Sequence, residues 1–139
     1  MNSLKIEATT FTPEINFDIA NNTLSFLKVS KPANAIEFYK PVFEFIDNFE
    51  KTKVKSKVVK ELIIDFNFDY FNTATAKIIY ELLAKFKKIK EQGVDIIINW
   101  YYHPDDDDLL EEGQIMSEAL GLKFNYLPTH DDDLNTDFE

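Results

Sequence analysis

Two short runs dense in isoleucine, "KELIIDFNF" at residues 60–68 and "VDIIINWYY" at residues 94–102, flank a segment whose apolar residues keep helical spacing. Leu62, Ile63 and Ile64 are continuous, the pattern of a central strand covered on both faces. Thr75, Ile79, Leu82, Leu83, Phe86 and Ile89 recur three or four apart, along one helix stripe, and Gly93 stands where that helix must end. Strand, helix and strand in this order require a right-handed crossover onto a parallel sheet, which restricts the chain to α/β architectures.

The flanking sequence extends the pattern. Residues 4–18 mix β-branched and aromatic residues with polar ones, "ANN" at 20–22 is turn chemistry, and "TLSFLKV" at 23–29 alternates, so an N-terminal β-hairpin is predicted. From Asn34 onward, Ala35, Tyr39, Val42, Ile46 and Phe49 mark a first helix, in which Pro41 predicts a kink or a later start. The five lysines of "KTKVKSKVVK", residues 51–60, read as a solvated loop. "HPDDDDLLEEG", residues 103–113, stacks carboxylates where a helix N-terminus favours negative charge; Leu109, Leu110, Ile115, Met116 and Leu120 continue a third helix. A last strand is expected over residues 122–127. The expected fold is therefore a single α/β domain over residues 1–128, a hairpin followed by alternating helices and strands, with a mixed, mostly parallel sheet and about three helices. The acidic stretch "THDDDLNTDFE", residues 129–139, reads as a flexible tail.

Composition narrows the chemistry. The chain has 139 residues, no cysteine, 15 basic against 25 acidic side chains and a net charge of −10. Disulfides and thiolate chemistry are excluded, and phosphate backbones and anionic lipid are repelled, so neither nucleic acid nor membrane is an expected partner. No apolar run approaches the roughly 20 residues of a membrane span, and the N-terminal residues lack a signal-peptide pattern, so a cytoplasmic location is expected. There is no Gly-rich phosphate cradle, nucleophile elbow or metal-binding histidine pair, and hence no cofactor signature. His103 and His130 adjoin aspartates, but consecutive carboxylates splay apart and do not make a metal site. Glu111 and Glu112 point to different sides of a helix, which suits no shared acid-base work. Trp100, Tyr101 and Tyr102 are read as rings alternating into the core, with polar tips reaching solvent.

One stretch stands apart. In "DYFNTATAKIIY", residues 69–80, Asn72, Thr73 and Thr75 gather where a strand hands over to a helix. Asn and Thr there cap the first free backbone N–H groups. The same position suits a phosphoryl group, whose charge of about −1.5 to −2 the helix dipole tolerates while a docking surface changes.

The segments "TTFTPEINFD" (residues 9–18), "KPANAIEFYKPVFEFI" (31–46), "YFNTATAK" (70–77) and "INWYYHPDDDD" (98–108) resemble the SiaC family of bacterial regulatory phosphoproteins, whose fold is similar to the STAS domains of anti-sigma factor antagonists. The resemblance implies a non-enzymatic, STAS-like signalling module in which the threonine after the asparagine, Thr73 here, is phosphorylated. It implies a cognate protein kinase, a PP2C-type phosphatase and a downstream target such as a diguanylate cyclase that engages the unmodified form. Tyr70, Asn72, Thr75 and Lys77 then form the candidate partner-binding surface. Ala74 and Thr75 stand where the family often shows two serines, which makes Thr75 a weaker phosphoacceptor than Thr73. The alternative is a constitutive interaction domain, or one that senses a small ligand, in which Thr73 only caps the helix.

Overall fold

The computed structural model describes residues 1–129. Three N-terminal strands, β1 (Leu4–Ile6), β2 (Glu14–Asp18) and β3 (Thr23–Ser30), precede the helix α1 (Ala35–Phe49) and a π-helical turn (Glu50–Val54). Then come β4 (Glu61–Phe71), α2 (Thr73–Glu91), β5 (Asp95–Tyr102), α3 (Asp107–Leu120) and β6 (Phe124–Pro128). The sheet has six strands in the order β1-β2-β3-β4-β5-β6, antiparallel from β1 to β3 and parallel from β3 to β6.

The N-terminal hairpin becomes a three-stranded meander. Residues 7–13 leave the sheet between β1 and β2, where the Thr9 hydroxyl accepts the Phe11 and Thr12 N–H groups at 3.3 and 3.1 Å. In α1 the five stripe residues Ala35, Tyr39, Val42, Ile46 and Phe49 are buried. The helix starts at Ala35 despite Pro41, because Asn34 caps it by accepting the Glu37 N–H at 3.1 Å. Pro41 and Glu37 are both exposed, so the carbonyl left without its usual donor faces water. The lysine-rich stretch is half helical rather than all loop, since the π-helical turn carries it as far as Val54, which is buried.

The expected two-sided cover of β4 is not what forms. Leu62 and Ile64 are fully buried, while Ile63 between them is only half-buried. Four parallel strands in sequential order, joined by right-handed crossovers, place every connecting helix on the same face. The helices α1, α2 and α3 accordingly pack side by side, α1 on α2 and α2 on α3. The opposite face carries an in-register row Lys5, Asn16, Ser25, Asp65, Asn99 and Asn125 that crosses all six strands. Asn99 donates to Asp65 at 2.8 Å and Asn125 to Asn99 at 3.1 Å, so this open face is ordered by side-chain amides instead of a second helical layer.

Between sheet and helices lies an aromatic core. Phe26 stacks on Phe66 with centroids 5.2 Å apart, Phe17 meets Phe45 and Phe49 at 5.1 and 5.0 Å, and Trp100 stacks on Phe124 at 5.7 Å. The Trp100 indole N–H donates to the Leu109 carbonyl at 3.0 Å, which ties β5 to the first turn of α3.

Candidate functional site

The end of β4 is built by a change of register. Lys28, with φ of 75°, sits at a bulge in the β3–β4 pairing, so that Phe68 lies opposite Lys28 while Tyr70 lies opposite Val29. Asp69 is the extra residue, and the inside-outside alternation slips by one. Phe68 and Phe71 are therefore both buried against the helices, and Tyr70 is left 53% exposed. Two residues later the chain enters α2.

Asn72, in extended conformation, is the N-cap: its side-chain oxygen accepts the Thr75 N–H at 2.9 Å, and its own N–H donates to the Ser30 carbonyl at 3.0 Å. Thr73 is thus the first helical residue and does not perform the capping. Its side chain is exposed, as are Ala74 and Lys77. This removes the basis for reading Thr73 as the cap. The first turn of α2 contains no acidic side chain, whereas α1 carries Glu37 there and α3 carries Asp107 and Asp108. The positive end of the α2 dipole is left without a neutralising carboxylate of its own.

Thr75 does not belong to a surface. It is fully buried, and its hydroxyl lies 2.8 Å from that of Ser30 and donates to the Ser30 carbonyl at 3.1 Å. Ser30, also fully buried, is in turn 2.7 Å from the Tyr39 hydroxyl. Of the residues proposed from the sequence, the structure brings Tyr70, Thr73 and Lys77 to the exterior around a half-buried Asn72, and withdraws Thr75 into the core. Ser30 and Tyr39 join the site without a local signal in the sequence. Ser30 shares the parity of the inward-facing Leu24 and Phe26 but reads as an ordinary strand end, and Tyr39 reads only as one more stripe residue.

Beside Tyr70 an open cleft of about 360 Å³ is lined by Asp69, Tyr70, Phe71, Asp106, Asp108, Leu109 and Glu112. Asp106 caps α3 by accepting the Leu109 N–H at 3.0 Å. Partial burial raises the Glu112 carboxyl above the usual carboxylate range, and Asp106 and Asp108 raise it further. His103 accepts the Asp105 N–H at 3.2 Å. Among the described residues no three or more His, Asp or Glu side chains converge in a way that could hold a metal, and His130 and the rest of the expected tail after Thr129 lie outside the described residues. Trp100 is buried, with Tyr101 and Tyr102 half-buried; burial and, secondarily, the nearby Asp65 raise the Tyr101 phenol. No helix among the described residues is long and apolar enough to cross a membrane.

Residues 6–129 match the model of the SiaC family of regulatory phosphoproteins. Among solved structures, apo-SiaC from Pseudomonas aeruginosa is 24% identical with a TM-score of 0.79, over 91% of this chain and 99% of that one. SiaC solved in complex with the diguanylate cyclase SiaD, from the same organism, is 22% identical with a TM-score of 0.81, again over 91% of this chain and 99% of that one. At these identities the structural likeness establishes the fold, a six-stranded α/β domain consistent with the STAS-like description. No curated protein matches the chain. The family match spans both the strand-to-helix junction and the fold around it, and the chain belongs to the SiaC family of regulatory phosphoproteins.

Proposed function

We propose that this protein is a non-enzymatic, cytoplasmic partner-switching module, controlled by phosphorylation of Thr73 through a cognate kinase and a PP2C-type phosphatase. In its unmodified form it binds and regulates a target protein of the diguanylate cyclase class. The observation that carries the reading is the exposure of Thr73 at the first position of α2, with the capping duty taken by Asn72. Because the hydroxyl holds no helix together, a phosphoryl group there adds about −1.5 to −2 charge without dismantling the fold. The dipole of a 19-residue helix with no acidic side chain in its first turn accepts that charge. An interface formed around a neutral hydroxyl does not, because the dianion must be desolvated on docking.

Tyr70 and Lys77, exposed on either side of the Asn72 cap in sequence, supply an aromatic and a cationic contact for the partner. A protein of the same fold has been solved with a diguanylate cyclase, which supports this class of target. The test is capture from native-cell extract on wild-type, Thr73→Ala and Thr73→Glu protein, with the captured material assayed for cyclic di-GMP synthesis from GTP. Wild type and Thr73→Ala retain activity and Thr73→Glu does not. Equal capture by Thr73→Glu rejects the switch.

A further inference from the structure

Beneath the exposed Thr73 lies a chain of three buried hydroxyls contributed by three elements: Ser30 at the end of β3, Tyr39 in α1 and Thr75 in the first turn of α2. The protons can be placed. The Thr75 hydroxyl has a single hydrogen, and the Ser30 carbonyl, 3.1 Å away, can only accept, so Thr75 donates to it. The Ser30 hydroxyl then donates to Thr75 across 2.8 Å, and the Tyr39 phenol donates to Ser30 across 2.7 Å. All three hydrogens are used, in one direction, and no buried side-chain oxygen or nitrogen among the described residues is left without a partner. Burial keeps the Tyr39 phenol protonated far above its ordinary range, so it remains a donor.

The same Ser30 carbonyl also accepts the Asn72 N–H at 3.0 Å. Both residues that bracket Thr73 on either side, Asn72 and Thr75, are therefore tied to one residue of β3, and through Ser30 to α1. Thr73 itself is held by neither cap nor core, and its pose is inherited from these neighbours.

We propose that Thr75, with Ser30 and Tyr39, is a positioning residue for Thr73: the hydroxyl chain fixes the first turn of α2 on β3 and α1, and so presents the Thr73 oxygen in the geometry its modifying enzyme reads. This deepens and rests on the reading of Thr73 as the phosphoacceptor. It also assigns Thr75 a role opposite to that of a second phosphorylation site, since its hydroxyl is fully buried and already donating.

The experiment compares full-length wild type, Thr75→Val, which keeps the shape and deletes the hydroxyl, and Thr75→Ser, which keeps the hydroxyl. Two readouts are taken. Amide hydrogen exchange at Asn72, residue 75 and Ala76, whose N–H groups donate to the Ser30 carbonyl, the Asn72 side chain and the Asn72 carbonyl, is measured against Leu82 and Phe86 deeper in the helix, and the occupancy of phosphate on Thr73 is measured by mass spectrometry of each protein produced in its native cells. Thr75→Val speeds first-turn exchange about three- to tenfold with Leu82 and Phe86 unchanged, and lowers Thr73 phosphate occupancy at least about threefold, while Thr75→Ser restores both. Should Thr75→Val not fold, Tyr39→Phe, which removes only the outermost donor, carries the test in the same direction. Wild-type behaviour of Thr75→Val in either readout, or failure of Thr75→Ser to rescue, overturns the proposal. Absence of phosphate from wild type defeats the phosphoacceptor reading instead, and the exchange data then still decide whether the hydroxyl chain holds the turn.

Discussion

The side-chain oxygen of Asn72 accepts the backbone N–H of Thr75 at 2.9 Å, and this bond passes over Thr73, which lies between them with its side chain in solvent. Capping therefore falls to Asn72 and leaves the adjacent Thr73 hydroxyl without a structural duty. Asn72→Ala should lower unfolding free energy by about 1 kcal/mol, the cost of a lost N-cap. Thr73→Ala should change it by less than about 0.5 kcal/mol, as for an exposed substitution without a structural partner. Urea unfolding of the two variants separates them; equal losses would mean that Thr73 shares the cap.

The open face of the sheet makes a prediction about two neighbouring isoleucines. Ile64 is fully buried toward the helices, and Ile63 faces the uncovered side. Ile64→Ala should cost about 2–5 kcal/mol, the range for a large core truncation, and Ile63→Ala less than half as much. Comparable losses would mean that a second layer covers the sheet.

Gly113 sits inside α3, where alanine ordinarily gains about 1 kcal/mol over glycine. Here a Cβ would come within 2.6 Å of the Trp100 indole nitrogen and 2.7 Å of its ring carbons. The ring is locked by its hydrogen bond to the Leu109 carbonyl and by stacking on Phe124, so it cannot retreat. Gly113→Ala should therefore destabilise, by about 1–3 kcal/mol, with altered tryptophan fluorescence. A stabilised variant would show that the α3–β5 contact is looser than this.

Glu112 gives a pH dependence of defined sign. Its carboxyl is raised by partial burial and by Asp106 and Asp108, so the folded protein holds the proton to higher pH than the unfolded chain does. Its contribution to stability is then greatest below the ordinary carboxylate range of about pH 4 and is lost as pH rises through its raised value. Relative to Glu112→Gln, wild type should lose stability across that interval and run parallel above it. Urea titrations of the pair between about pH 4 and about pH 7 measure the difference.

Much of this architecture is visible in the sequence because its signals are local. The stripe of α1, the stripe of α2 and the carboxylates at the start of α3 follow from spacing alone, and Asn72 before Thr73 marks the helix start. What was not visible depends on pairing between distant segments. The continuous Leu62, Ile63 and Ile64 looked like a strand covered on both faces, because nothing local reveals that β3 to β6 lie in sequential order with all helices on one side. The bulge opposite Lys28 exists only in the register of β3 with β4, yet it decides that Tyr70 points outward and Phe71 inward. Thr75 lies beside Thr73 in sequence, but two residues along a helix turn roughly 200°, enough to separate a solvent-facing hydroxyl from one sealed in the core.

Partner switching by this protein requires that Thr73 be the residue that carries phosphate. Phosphopeptide mapping of the protein purified from its native cells, alongside Thr73→Ala and Thr75→Ala, tests this directly. The expected result is a phosphate on Thr73 in wild type that disappears in Thr73→Ala and in no case moves to Thr75. Phosphate that survives in Thr73→Ala, or a wild-type protein that never carries phosphate at Thr73, would contradict it.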